Sequence, residues 1–138
     1  LGSLRFTGCF DFGWSHVRWV RAYEDRGELG MKRVYIAGPI SAPTHEEMIL
    51  NTKRFDETEA MLREQGYETL NPVRQVGHDV RAEGFKMKPW HTYLREDIRL
   101  LSSADAIYMM RGWQESKGAT LEYHIAKELG FELIYEED

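Results

Sequence analysis

From Met31 onward the chain alternates two hydrophobic patterns. Short apolar runs end at Gly or Pro, and longer polar stretches between them carry apolar residues three and four apart. Residues 33–37 read Arg-Val-Tyr-Ile-Ala and stop at Gly38-Pro39, the mark of a buried strand. Residues 46–65 place Met48, Phe55, Met61 and Leu62 at helical spacing, with Gly66 as the stop. A second strand over 67–70 ends at Asn71-Pro72. Residues 73–89 form a polar loop with Gly77 and Gly84, long enough for a compact domain to suggest function. The pattern then predicts a helix over 91–102, a strand over 104–110, a loop over 111–117, a helix over 118–129 stopped by Gly130, and a strand over 131–135. Strands alternating with helices predict an α/β fold, a flavodoxin/Rossmann-like open parallel sheet of four to five strands with helices on both faces. A ligand then belongs outside the carboxyl ends of the strands, where Gly38-Pro39, Asn71-Pro72 and residues 111–117 lie.

Residues 1–30 break this pattern. They hold Phe6, Phe10, Phe12, Trp14 and Trp19 without clear periodicity, then a charged stretch over 21–28. Two readings stand: an N-terminal extension ahead of a natural start at Met31, or an aromatic arm that packs on the domain or on a neighbouring subunit. The expected organisation is therefore an extension over 1–30 and one domain over 31–138.

Charge and cysteine content narrow the partners. The formal net charge is −5, so the basic face of a protein that binds polymeric nucleic acid is not expected. A small anionic ligand needs only local donors and stays open. Cys9 is the single cysteine, which fits a reducing, cytoplasmic compartment. No apolar run reaches the roughly 20 residues of a membrane span, and the start lacks the apolar core of a signal peptide. A cytoplasmic protein with no membrane partner is expected.

Two carboxylates lie on faces meant for the core. Asp97 falls in the stripe of Tyr93, Leu94, Ile98 and Leu101, and Glu122 shares a face with Ile125, Ala126 and Leu129. Acids are almost never fully buried unless paired or put to use. Two of them near the ends of one strand point to acid/base or nucleophilic chemistry. Structural alternatives exist for each. Glu122 could answer the helix dipole, and Asp97 could pair with Arg95, Arg99 or a backbone N–H. Tyr35 could be plain core, and Ser116 a plain N-cap. Asp105 is expected to cap the strand entrance, away from any chemistry.

Three segments converge on the expected crevice: Tyr35-Ile36-Ala37-Gly38-Pro39-Ile40-Ser41, Asp97 in its helix, and residues 112–122, which contain Ser116-Lys117-Gly118 and end at Glu122. In this order and spacing, over about residues 32–134, the chain resembles the nucleoside 2-deoxyribosyltransferase-like superfamily. It is most similar to the 2′-deoxynucleoside 5′-phosphate N-hydrolase branch and to a related uncharacterised group of bacteria and phages. The resemblance implies cleavage of a base–sugar bond, with Glu122 as nucleophile, Asp97 as the acid assisting the departing base, and Tyr35 orienting the nucleophile. An Asp near a second carboxylate should have a raised pKa, which suits a proton donor. Ser116 matches the serine that holds a 5′-phosphate, at a helix N-terminus suited to an anion. Gly38, Ile40, Ser41, Asn71, Trp113 and Gly118 are the further residues expected at the substrate. The first loop departs from the hydrolases, whose Gly-Ser-Ile-Arg run is here Gly38-Pro39-Ile40-Ser41. Pro39 has no N–H to offer a phosphate.

The resemblance further implies a nucleotide or nucleoside as partner, base exchange as the alternative reaction, and a homodimer or higher homo-oligomer. A non-catalytic nucleotide-binding or sensing module is the reading from another class. His16, His45, His78, His91 and His124 show no metal-ligand spacing, so no metal or other cofactor is expected. His78-Asp79, in the long loop, could touch a base but reads rather as a solvated loop pair. The absence of a Gly-x-Gly-x-x-Gly or Walker sequence disfavours dinucleotides and triphosphates.

Overall fold

A computed structural model describes residues 31–137. The extension over 1–30, with its aromatic residues, lies outside the described residues. The chain divides at Lys32 and Arg33, and the unit described below is the second. It is built from β1 (Arg33–Ala37), α1 (His45–Glu64), β2 (Glu68–Leu70), α2 (Trp90–Leu101), β3 (Ala106–Met109), α3 (Lys117–Glu128) and β4 (Glu132–Tyr135). The four strands form one parallel sheet in the order β2-β1-β3-β4. The expected α/β fold is therefore the fold of the protein, at the lower of the expected strand numbers.

Strand alternation sorts the core into two layers. Tyr35, Ala37, Ile107 and Met109 face one way and pack with Leu101 of α2, Ala104 of the α2–β3 turn, and Ala119 and Ala126 of α3. Val34, Ile36, Ala106, Tyr108 and Met110 face the other way and pack with Phe55 and Leu62 of α1. With both faces covered, β1 and β3 read as unbroken apolar runs.

Local signals set the helix ends. Thr44 accepts a hydrogen bond from the Glu47 N–H at 3.1 Å, half of a Thr-x-x-Glu capping box. Gly66 ends α1 at φ +95°, a conformation open to glycine. Two sequence expectations shift. Residues 73–89 open with a π-helical turn at Val73–Gly77 rather than loop. Leu129, expected on the apolar stripe of α3, is 52% exposed, because the helix ends at Glu128 and leaves it beyond the last turn.

At the carboxyl end of the sheet the chain leaves β1 for β2 on one side and returns to β3 on the other. This topological switch point opens a crevice between β1 and β3. Gly38 closes its floor. A Cβ there would lie 2.8 Å from Met110 Cβ and 2.9 Å from Met110 Sδ, so the two strand ends approach only because residue 38 has no side chain. Asp105 sits at the opposite end, where its carboxylate accepts the Arg33 N–H at 2.9 Å.

Gly38→Ala is therefore expected to destabilise the fold by about 1–3 kcal/mol, the usual cost of overpacking. A urea unfolding midpoint unchanged from the parent would show that β1 and β3 do not approach this closely.

Candidate functional site

Above that floor lies a cavity of about 560 Å³. The β1 end supplies Gly38, Pro39, Ile40 and Ser41, α2 supplies Trp90, Tyr93, Leu94 and Asp97, and the start of α3 supplies Ser116, Lys117, Gly118 and Glu122. Met48 and Phe55 of α1, with Val80, Phe85 and Met87 of the long loop, make an apolar wall.

The polar groups form a chain of contacts. Tyr35, wholly buried in β1, donates its hydroxyl to Glu122 Oε2 at 2.8 Å. Asp97 and Glu122 are close enough to hydrogen-bond when one of them holds a proton. His78 Nε2 lies 2.8 Å and 3.1 Å from the two oxygens of Asp97. The His78 ring stacks on Tyr93, with centroids 4.2 Å apart. Asp97, Glu122 and His78 are all buried. The four groups come from β1, the long loop, α2 and α3, so only the folded sheet assembles them.

Burial pushes the Glu122 carboxyl well above the usual carboxylate range, and the negative charge of Asp97 pushes it further. The Tyr35 hydroxyl pulls the other way, because its hydrogen bond favours the ionised carboxylate. Burial also raises the Tyr35 phenol well above its ordinary value, and the Glu122 and Asp97 charges add to that. Tyr35 therefore remains a donor. The upward shift that burial and neighbouring charge produce here is that of Glu122.

Other expected residues fall differently. Ser116 is the N-cap of α3, and its hydroxyl accepts the Ala119 N–H at 3.2 Å. The Lys117 and Gly118 amides stand in the first turn, where no intrahelical acceptor exists. Asn71 does not line the cavity. It is wholly buried, with its amide donating to Glu59 and its carbonyl oxygen accepting the Val73 N–H. Glu59 also takes hydrogen bonds from Thr69 and Arg74, so Asn71 belongs to a buried polar knot at the end of β2. Burial alone would raise the Glu59 pKa, but the bonds from Arg74, Asn71 and Thr69 outweigh it and hold the carboxyl below its ordinary value. Trp113 packs on Tyr123 at 4.6 Å beneath α3 and does not reach the cavity.

His78 is the correction that matters most. The solvated loop pair expected from the sequence is a buried histidine on Asp97, while its neighbour Asp79 binds Arg81 instead. Arg95 and Arg99, the partners considered for Asp97, are exposed, and the bonds of Asp97 go to His78 instead. The one available signal was a histidine in an unusually long loop; nothing periodic in that loop shows which way it points. Among the described residues, no cluster of three or more His, Cys, Asp or Glu side chains is arranged to hold a metal ion, and no helix is long and apolar enough to cross a membrane.

Comparison with known proteins adds a family and a fold. The family profile described as "Domain of unknown function (DUF4406)" matches residues 32–135. A solved structure of a 2-deoxyribosyltransferase from the psychrotolerant bacterium Bacillus psychrosaccharolyticus is similar, with 19% sequence identity and a TM-score of 0.53. The likeness covers 75% of this chain and 70% of that one, and at this identity it is a likeness of fold. No curated protein matches the chain.

The raised Glu122 pKa has a consequence for stability. Between the unfolded value of about 4.3 and the higher folded value, the native state holds a proton that the unfolded state has lost. Stability therefore falls as pH rises through that window. A Glu122→Gln variant has no such proton to lose, so its melting temperature should gain on the parent's between pH 5 and pH 8. A difference that stays flat or shrinks over that range would mean that Glu122 is not held protonated by burial.

Proposed function

Because the chain belongs to the family described as a domain of unknown function, DUF4406, its activity has to be argued from its site, and we propose that it is an N-glycosidase. The reaction is hydrolysis of the base–sugar bond of a (deoxy)nucleoside 5′-monophosphate. The observation that carries this reading is a buried bonded series, in which Glu122, Asp97 and His78 line one cavity and Tyr35 backs Glu122 from the core. The fold shared with a 2-deoxyribosyltransferase supports it.

The chemistry follows from the geometry. Tyr35 occupies Glu122 Oε2 and so leaves Oε1 for the anomeric carbon. As the carboxylate bonds to that carbon, the C–N bond breaks and its electron pair leaves with the base. Asp97 delivers the proton the departing nitrogen takes up. His78, bonded to both Asp97 oxygens, supplies that proton or holds the carboxyl in place to give it. Water then attacks the glycosyl–Glu122 ester, gives its proton back to Asp97, and frees the carboxylate. Glu122 must be ionised to attack, so its raised pKa sets the acidic limb of the pH–rate profile.

At the other end of the cavity, the Ser116 hydroxyl and the Lys117 and Gly118 amides form the phosphate end of the site. Gly38, Ile40 and Ser41 line the sugar side. Base exchange in place of hydrolysis is the second reading, favoured by the activity named for the structural relative. It differs only in what attacks the ester, a second base rather than water. A binding module without turnover is the third, since Pro39 removes one amide from the first loop.

Chromatography of the protein incubated with each ribo- and deoxynucleoside, with and without its 5′-phosphate, tests the proposal. Free base is expected from monophosphates and none from the Glu122→Ala variant; release undiminished by that substitution would sink the mechanism. Adding a second free base distinguishes exchange from hydrolysis by its product. Asp97→Asn should slow turnover by about 10²–10⁴-fold. His78→Asn should lower kcat more than it raises KM, and an effect confined to KM would remove His78 from the proton path.

A further inference from the structure

Lys117 opens α3 and Trp90 opens α2, on facing sides of the cavity mouth. The Lys117 ammonium lies over the Trp90 indole, 4.4 Å from the ring centroid. Nothing else in the described structure accounts for a cation in this place. The first turn of a helix repels positive charge, because the dipole presents its positive end there. No carboxylate among the described residues pairs with Lys117. The other lysine of the cavity is fully engaged. Lys88 pairs with Glu96 at 3.2 Å, donates to the Val76 carbonyl at 3.4 Å, and lies over the Tyr93 ring.

Trp90 is 44% exposed, so the contact that holds Lys117 is a cation–π contact at an open site. Such a contact is weak, whereas a charge-assisted hydrogen bond to a phosphate is strong. A phosphate at the Ser116 hydroxyl and the Lys117 amide would lie in the same cavity as Trp90, so one flexible side chain can serve either contact.

We infer that Lys117 is the residue that reads a substrate's phosphate, and that its contact with Trp90 is a latch across the cavity mouth, opened when the phosphate draws the ammonium away. This rests on the nucleotide reading of the site. It adds a residue that selects monophosphates over free nucleosides, and a motion coupled to that selection. A nucleoside lacking the phosphate leaves Lys117 on the indole and the mouth spanned. A monophosphate takes the ammonium and frees the Trp90 face.

The test avoids the identity of the base. Ribose 5-phosphate and 2-deoxyribose 5-phosphate are titrated by calorimetry into the full chain carrying Glu122→Gln, with ribose and 2-deoxyribose as controls. Trp90 emission is followed as the difference from a Trp90→Phe variant. The sugar phosphates should bind more tightly than the sugars and change Trp90 emission. Lys117→Met should weaken their binding by about tenfold or more, the factor expected for a lost hydrogen bond to a charged group, and abolish the emission response. Lys117→Arg should recover most of the binding. Thermal melts of both variants should match the parent, since Lys117 is exposed. Sugar phosphates that bind Lys117→Met as tightly as the parent would overturn the latch and leave the nucleotide reading standing. Sugars that bind while sugar phosphates do not would overturn both.

Discussion

The hydrogen bond from the Tyr35 hydroxyl to Glu122 is the constraint around which the rest of this structure is arranged. A carboxyl group under the end of a parallel sheet is costly unless something donates to it. Tyr35 donates from the central strand, with its phenol kept protonated by the same burial. For the contact to form, α3 must pack on the face of β1 that carries Tyr35. The pairing of β1 with β3 places it there, and the bare Gly38 backbone lets the two strand ends close on Met110. Asp97 and His78 then add to a site whose depth is already set.

The cluster works against stability. Glu122 and Asp97 share a small volume with no arginine or lysine between them, and burial resists the ionised form of Glu122. Stability lost at such a site has to come from elsewhere in the fold. The apolar layers on both faces of β1 and β3 supply it, together with the knot at Glu59, which fixes the end of β2 with Thr69, Asn71 and Arg74.

Much of this was legible in the sequence, for reasons that also explain the failures. Residues 33–37 and 104–110 announced buried strands because parallel strands covered on both faces are unbroken apolar runs. Asp97 and Glu122 stood out because an acid inside a helical stripe violates the pattern around it. Periodicity gives direction only inside a helix or strand, so it could not orient His78 in the long loop. Nor could it show that Asn71 turns inward to Glu59 and Trp113 inward to Tyr123. Both residues sit just past or between strand ends, where a ligand contact and a buried tertiary contact look alike in sequence. Lys117 drew no notice for a related reason. A lysine beside a helix start reads as solvated surface until the facing Trp90 is placed opposite it.

Pro39 first looked like a loss, an amide removed from the loop that follows β1. Its ring lies against the far side of that loop's neighbour, where even a Cβ on Gly112 would come within 3.5 Å of Pro39 Cγ. Gly112 itself turns at φ +90°, which few other residues adopt. A ring that fixes its own backbone angle thus lies beside a glycine turned into the left-handed region, where the two strand-end loops meet. The rim of the cavity on the side of β1 and β3 thus carries two backbone angles that its own residues hold, at Pro39 and Gly112.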